Sequence, residues 1–299
     1  MRIDPNTTPN ILADMQQSQV SLNTALQQVS TGLSVNNPSD NPSAAAEMVQ
    51  NSIESADVDQ FTQNVSSALS TVQTASSVLS SVVTSLTSAV SAGTEGANGT
   101  NSTSDLQSLA AQVQGILTSV VNSANTSVSG SFLFGGTSTT KPYTADASSP
   151  TGFTYSGNND TNSVAVGDQA SVQVNLPGSQ IFSSSSNNVI GALSSLVIAL
   201  QSGNTANIAS STAAVSSAVS FVGQQQVFYG NAEAQLNSQE TFLQQDTVSL
   251  TTQATSLIGV NEATAATNLT QAETDNSAAL AAIAKVLPNS LLNFLSPPE

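Results

Sequence analysis

The sequence predicts a mainly α-helical chain. Its N-terminal and C-terminal halves form a long antiparallel coiled-coil rod, and a small antiparallel β-rich insertion lies between them. Three observations carry this. Apolar residues recur at alternating three- and four-residue spacing up to Val120, and again from Val189. Between those stretches the period falls to two. Each helical stripe also needs a partner stripe to cover it, so the two halves require one another.

The first stripe comprises Leu12, Met15, Leu22, Leu26, Val29 and Leu33, with Gln19 filling one seam position. Gly32 stands at its end, where a helix C-terminus tolerates glycine. The block TGLSVNNPSDNPSAAA then spans Thr31 to Ala46. Pro38 and Pro42 lack an amide hydrogen and stop the preceding helix. Asn41 is placed as the N-cap of a new helix, with Pro42 in its first position. Val58, Phe61, Val65, Ala68, Val72, Ala75, Leu79, Val82, Leu86 and Ala89 then keep a strict three-four alternation. That register marks a coiled-coil helix of ~50 Å at ~1.5 Å per residue. Its outer faces carry Ser, Thr, Gln and Asn, which solvate the helix without choosing an ionic partner. A turn is expected from Gly93 to Asp105, with Asp105 or Ser104 capping the next helix. In that helix Leu106, Leu109, Val113, Ile116 and Val120 should pack back antiparallel.

The period changes at Gly130. Phe153 and Tyr155 alternate with polar residues, as do Val164 and Val166, and Val172, Val174 and Leu176. Turn formers at Gly157–Asp160 and Gly167–Asp168 separate these runs, which predicts a small antiparallel meander. Helical spacing returns at Val189, Leu193, Leu196 and Leu200, and resumes at Ile208, Val215, Val219 and Val222. Leu236, Leu243, Leu250 and Leu257 fall every seventh residue. A last stripe holds Leu280, Ile283, Val286, Leu287, Leu291, Leu292, Phe294 and Leu295, interrupted by Pro288. The expected organisation is terminal helical segments at 1–36 and 261–299, a coiled-coil rod at 37–130 and 183–260, and a β-rich outer domain at 131–182.

Composition narrows the function. The formal net charge is −16, and Arg2, Lys141 and Lys285 are the only cationic side chains among 299 residues. A nucleic-acid binder needs Lys and Arg against phosphates, so that class is excluded. An anionic membrane surface repels such a chain. The most apolar windows, such as Ala192 to Leu200, are too short and serine-rich to span a bilayer, so no membrane insertion is expected. MRIDPNTTPN lacks the apolar run of an ordinary cleaved secretory signal. The chain has no Cys and no His, which removes disulfides, Cys/His zinc sites and most nucleophile–base pairs. Neither lysine sits in a Ser–Lys motif, and no carboxylate pair is singled out by spacing. No catalytic residue, cofactor or metal is expected. Asp40 reads as a turn or capping carboxylate. Glu47, Glu54, Asp57 and Asp59 read as a solvated start of a helix.

The opening residues MRI, the first leucine stripe and TGLSVNNPSDNPSAAA resemble the N-terminal segment of the flagellin superfamily. Within it they are more similar to the FlgL-type hook–filament junction proteins than to filament flagellin. Gly32, Pro38, Ser39, Asp40, Pro42 and Ala45–Ala46 occupy that family's element. GSFLFGGTSTTKPY (Gly130 to Tyr143) resembles the family's passage from helical rod into outer β domain, and Phe153 to Phe182 resembles that domain's core. AAIAKVLPNSLLNFL resembles the family's C-terminal helix. The scarcity of Lys and Arg and the presence of Pro288 depart from the family pattern.

The resemblance implies a structural, non-enzymatic subunit, exported unfolded by the flagellar type III apparatus without a cleaved signal. It also implies that the terminal segments are disordered in the monomer and form an inner tube on assembly. The assembly residues are then Leu12, Met15, Leu22, Leu26, Val29, Leu33, Leu280, Ile283, Leu287, Leu291, Leu292, Phe294 and Leu295. Gly32, Pro38, Ser39, Asp40 and Pro42 make the joint between tube and rod. The implied partners are copies of the chain in a ring, a neighbouring hook-associated protein on the hook side, flagellin on the filament side, and an export chaperone of the FlgN type. A filament flagellin and a secreted adhesive protein are the alternatives.

Overall fold

The computed structural model describes residues 7–185 and 187–295, and the surroundings of side chains at 10–185 and 187–285. The chain divides into two compact units. One comprises Met1–Asp57 with Asp246–Glu299, the other Val58–Gln245.

Seven helices and six short strands are described. The helices are α1 (Thr7–Thr31), α2 (Pro42–Gly96), α3 (Thr103–Ala124), α4 (Gly178–Ile181), α5 (Val189–Ser202), α6 (Thr205–Ile258) and α7 (Glu262–Leu295). The strands are β1 (Ser127–Val128), β2 (Ser131–Phe132), β3 (Tyr143–Ala145), β4 (Phe153–Tyr155), β5 (Ser163–Ala165) and β6 (Ser171–Gln173). The mainly helical class with a small β insertion is as the sequence predicts. α7 runs through Pro288 to Leu295, so the proline does not end it.

The Val58–Gln245 unit is organised by the seam of α2. Val65, Val72, Leu79, Val82, Leu86 and Ala89 are fully buried, and Val58, Ala68 and Ala75 nearly so, with Phe61 half-buried. α6 lies antiparallel to it, since Gln73 donates to Glu233 (3.0 Å) and Gly93 backs onto Thr212. On α6 the buried residues Ile208, Val215, Val222, Tyr229, Leu236 and Leu243 fall every seventh position, the repeat that keeps one seam facing one partner. Ala218 is buried, and Val219, expected in the stripe, is half-buried. α3 packs on α5. In α3, Leu117 takes the buried place expected for Ile116.

Three expectations are corrected here. The turn expected from Gly93 begins only after Gly96. A Cβ on Gly93 would meet Thr212 and Leu196, and one on Gly96 would meet Leu200. These glycines allow close approach within a helix and do not end it. The cap of α3 is Ser102, ahead of both expected candidates. Its hydroxyl accepts from the Asp105 amide (3.2 Å), and the Asp105 carboxylate accepts from the Ser102 amide (3.0 Å). This is a capping box, and the Ser102 hydrogen bonds hold the Asp105 carboxyl below its usual range. Finally, the β region is not one meander. It is three separate antiparallel hairpins, β1–β2, β3–β4 and β5–β6.

Side chains of α2 and α6, and the residue that ends α3, satisfy backbone groups of the β region. Asn64 of α2 donates to the Ala165 carbonyl (3.0 Å), and Gln239 of α6 to the Val166 carbonyl (2.9 Å). The buried Tyr229 hydroxyl accepts from the Leu176 amide (3.2 Å). Asn125 bonds both the carbonyl and the amide of Tyr143, at 2.9 and 2.8 Å. Beneath the hairpins, Phe134 and Phe182 meet edge to face at 5.2 Å, and Tyr143 lies 5.1 Å from Tyr155. Burial raises the Tyr143 and Tyr229 hydroxyls well above their ordinary range, although a bond to Ser183 works against this at Tyr143.

α2 is long and apolar enough by composition to cross a bilayer, which the sequence reading did not register. From Val65 to Ala89 its seam residues are buried and its outer face is mostly Ser, Thr and Gln, while Val49 and Ile53 nearer its start are 62% and 53% exposed.

Candidate assembly interface

The unit of Met1–Asp57 and Asp246–Glu299 contains both terminal helices and the joints that lead into them. At the first joint, Gly32 adopts φ 71° and its amide donates to the Gln28 carbonyl (3.0 Å), ending α1. A side chain there would be strained. The Asp40 carboxylate accepts from the amides of Asn36 (3.1 Å) and Asn37 (2.8 Å), which makes it the expected turn carboxylate. Asn41 caps α2: its side-chain oxygen accepts from the Ala44 amide (3.2 Å) and its carbonyl from the Ala45 amide (3.0 Å). Pro42 holds the first helical position. Pro38, Ser39, Asp40 and Pro42 are all exposed, and Gly32 is half-buried.

A second joint, which sequence reasoning did not single out, separates α6 from α7. The Gly259 amide donates to the Thr255 carbonyl (2.8 Å), and a Cβ at Gly259 would collide with that same oxygen. Asn261 then caps α7, accepting from the Thr264 amide (3.2 Å) on its side chain and from the Ala265 amide (2.9 Å) on its carbonyl. The signal was Gly-Val-Asn-Glu, a glycine stop followed by an asparagine start without a proline to announce it.

The two joints are tied together. Leu33 and Gly259 form an antiparallel bridge, the Ser34 amide donates to the Ile258 carbonyl (2.6 Å), and the Val260 amide to the Gly32 carbonyl (3.0 Å). Nearby, the buried Asn51 of α2 donates to the Leu250 carbonyl of α6 (3.0 Å). A single polar residue in an apolar seam fixes register at some cost in stability.

α1 and α7 pack on each other, and the residues they bury are small: Ala25, Ala265 and Ala272. Their large apolar residues stay open. Leu12 is 57% exposed, Leu26 45%, Val29 44% and Leu280 47%. Val20, which the sequence reading passed over, is 56% exposed. Met15, Leu22, Leu33 and Ile283 are half-buried. Leu287, Leu291, Leu292, Phe294 and Leu295 fall in α7, but their side chains lie outside the described residues. A groove of about 580 Å³ runs along the pair, bordered by Asp14, Ser18, Val20, Asn268 and Asp275. Among the described residues, Ser18 Oγ and Asn276 Oδ1 are buried without a hydrogen-bond partner. An open Leu or Val forgoes part of the ~1.5–3 kcal/mol that full burial supplies. This surface is therefore incomplete by itself, both in apolar burial and in hydrogen bonding.

Glu47, Glu54, Asp57 and Asp59 are not drawn together, and among the described residues no three carboxylates converge as a metal site would require.

Residues 6–139 match the family model for the bacterial flagellin N-terminal helical region. This match covers somewhat less than half of the chain. The matched span runs from just before α1 to the loop after β2. In sequence, no curated protein matches the chain. In structure it is similar to a putative flagellar hook-associated protein from Vibrio parahaemolyticus, with a TM-score of 0.67 at 20% identity over 73% of this chain and 99% of that one. It is similar also to Bacillus cereus FlgL, with a TM-score of 0.60 at 21% identity over 69% of this chain and 99% of that one. The flagellar junction protein FlgL from Legionella pneumophila gives a TM-score of 0.60 at 14% identity over 71% and 100%. These likenesses show the fold, which extends over nearly the whole of each of those solved structures.

Proposed function

We propose that this chain is a structural subunit of the bacterial flagellum that joins hook to filament. The observation carrying the proposal is the combination of a flagellin-type N-terminal helical region with a fold that spans whole FlgL structures. A flagellar location outside the cell goes with that reading, with export unfolded and without a cleaved signal as its finer part.

The mechanism is geometric. The terminal helices α1 and α7 hold together through alanines and leave Leu12, Leu26, Val29 and Leu280 facing outward. Copies arranged in a ring bury those residues against one another, and the helices gain neighbours that isolated helices lack. Leu287, Leu291, Leu292, Phe294 and Leu295 extend the same stripe in sequence. The bridged joints at Gly32–Pro42 and Gly259–Asn261 separate this assembling layer from the coiled coil. One end of the ring meets a hook-associated protein and the other meets flagellin. Before export, residues 280–299 are the segment that a FlgN-type chaperone covers.

The test is immunogold labelling of intact cells with an antibody to this protein. A single spot where the filament meets the hook is expected. Label along the whole filament would make the chain a bulk flagellin, and label elsewhere would remove it from the flagellum.

A further inference from the structure

The turn between α2 and α3 holds the only Asn–Gly pair in the sequence, Asn98–Gly99. Both residues are exposed. The Gly99 amide donates to no group among the described residues, and a Cβ built on Gly99 would meet nothing within 4 Å. The Asn98 side-chain carbonyl oxygen accepts a hydrogen bond from the Thr100 hydroxyl (3.1 Å). The backbone of Asn98 is held on both sides. Its amide donates to the Glu95 carbonyl (3.1 Å), and its carbonyl accepts from the Asn101 amide (3.3 Å) and side chain (3.1 Å).

These parts form a reactive set. The Gly99 nitrogen is unhindered, and it precedes a residue whose hydroxyl bonds the oxygen on which charge develops. A donor aimed at a developing oxyanion lowers the barrier to acyl transfer. We propose that Asn98 is a site of spontaneous deamidation, and that Thr100 promotes the reaction by stabilising the oxyanion formed on the Asn98 side chain.

The step balances within the chain. The Gly99 nitrogen, losing its proton to solvent, forms a bond to Asn98 Cγ. The bond from Cγ to the amide nitrogen breaks, and ammonia leaves with the proton it needs. The resulting succinimide is opened by water to aspartate or isoaspartate. Either product places a new carboxylate between the C-terminal end of α2 and the Ser102 cap of α3. The first position disfavours negative charge and the second favours it. Isoaspartate also lengthens the backbone of the turn by one carbon. This inference is independent of the proposed flagellar role.

The experiment incubates the full-length protein in warm, mildly alkaline buffer and follows residue 98 by peptide mapping and isoaspartate assay. Conversion at Asn98 is expected to outpace every other asparagine. Thr100→Val is expected to slow it about three- to tenfold, the worth of one exposed hydrogen bond. Gly99→Ala, whose Cβ enters open space, should slow it further while circular dichroism stays unchanged. If Asn98 keeps its amide, or if Thr100→Val converts at the wild-type rate, the proposal is overturned.

Discussion

Tyr229 offers a sharp test of how the β region is held to the helices. It occupies the seven-residue repeat of α6 between Val222 and Leu236, and it is fully buried. Its ring packs in the seam, and its hydroxyl accepts the Leu176 amide at 3.2 Å. Tyr229→Phe keeps the ring and removes only the acceptor. The Leu176 amide is then buried without a partner, at a cost of about 1–3 kcal/mol. The bond lies at the long end of the ordinary range, so about 1–2 kcal/mol is expected. Tyr229→Ala removes the ring as well and should cost about 3–5 kcal/mol through the cavity. Urea unfolding followed by circular dichroism measures both, the midpoint falling while the slope is kept. Amide exchange at Leu176 should accelerate in both variants. If Tyr229→Phe unfolds with the wild-type protein and Leu176 stays protected, the hydroxyl does not hold the β region.

Other consequences can be checked together. Gly93→Ala should destabilise. Helix propensity contributes about 1 kcal/mol in its favour, but the new Cβ meets the buried Thr212 and Leu196, and overpacking costs about 1–3 kcal/mol. Gly115→Ala, in open space on α3, should instead stabilise by about 0.5–1 kcal/mol, and equal melting shifts for the two would contradict the packing argument. Asn41→Ala removes the cap of α2 and should cost about 1 kcal/mol in thermal or urea unfolding, with Asn41→Ser recovering most of it. Tyr143 and Tyr229 are both raised by burial above their ordinary 10.0. Their stabilising contribution is complete below that value and is lost as pH climbs beyond it. Absorbance of tyrosinate should therefore rise together with loss of circular dichroism, and titration at the ordinary midpoint with the fold intact would refute this. Association of a chain of net charge −16 through apolar faces should be promoted by sulfate, and light scattering that falls with salt would point to ion pairs in the interface instead.

The seam of α2 was legible because its Val and Leu residues keep one spacing from Val58 to Ala89, and burial follows that spacing. Tyr229 sits on the same seven-residue repeat as its aliphatic neighbours but was missed, because a hydroxyl reads as polar until its buried partner is known. Gly93 and Gly96 were read as a turn. Glycine serves equally as a helix terminus or as a place where two helices come close, and only the partner across the interface decides. The joint at Asn41–Pro42 was legible since proline announces it; its counterpart at Gly259–Asn261 has no proline and was not. On the terminal helices the face that joins α1 to α7 within the chain was not legible. Alanines 25, 265 and 272 make the contact, and a reading that ranks residues by hydrophobicity looks first to the leucines.

The scarcity of charge explains how these helices are built. With three cationic residues in the chain, α2 cannot stabilise its surface by Glu–Lys pairs four residues apart. Its exposed Ser and Thr hydroxyls turn back instead. Thr71, Thr74, Thr84, Thr87 and Thr94 each donate to the carbonyl four residues earlier, at 2.7 to 3.1 Å. Such bonds satisfy the hydroxyl locally and add little to helix stability. They also leave few directional groups pointing outward. The stability of α2 and α6 must then reside in the apolar seam, where Val65, Leu79 and Leu86 are fully buried. The outer faces are left without the charged pairs that would choose a partner. Under the assembly proposed above, selectivity falls to the leucines and valines that the terminal helices expose and to the shape of the bridged joints beside them.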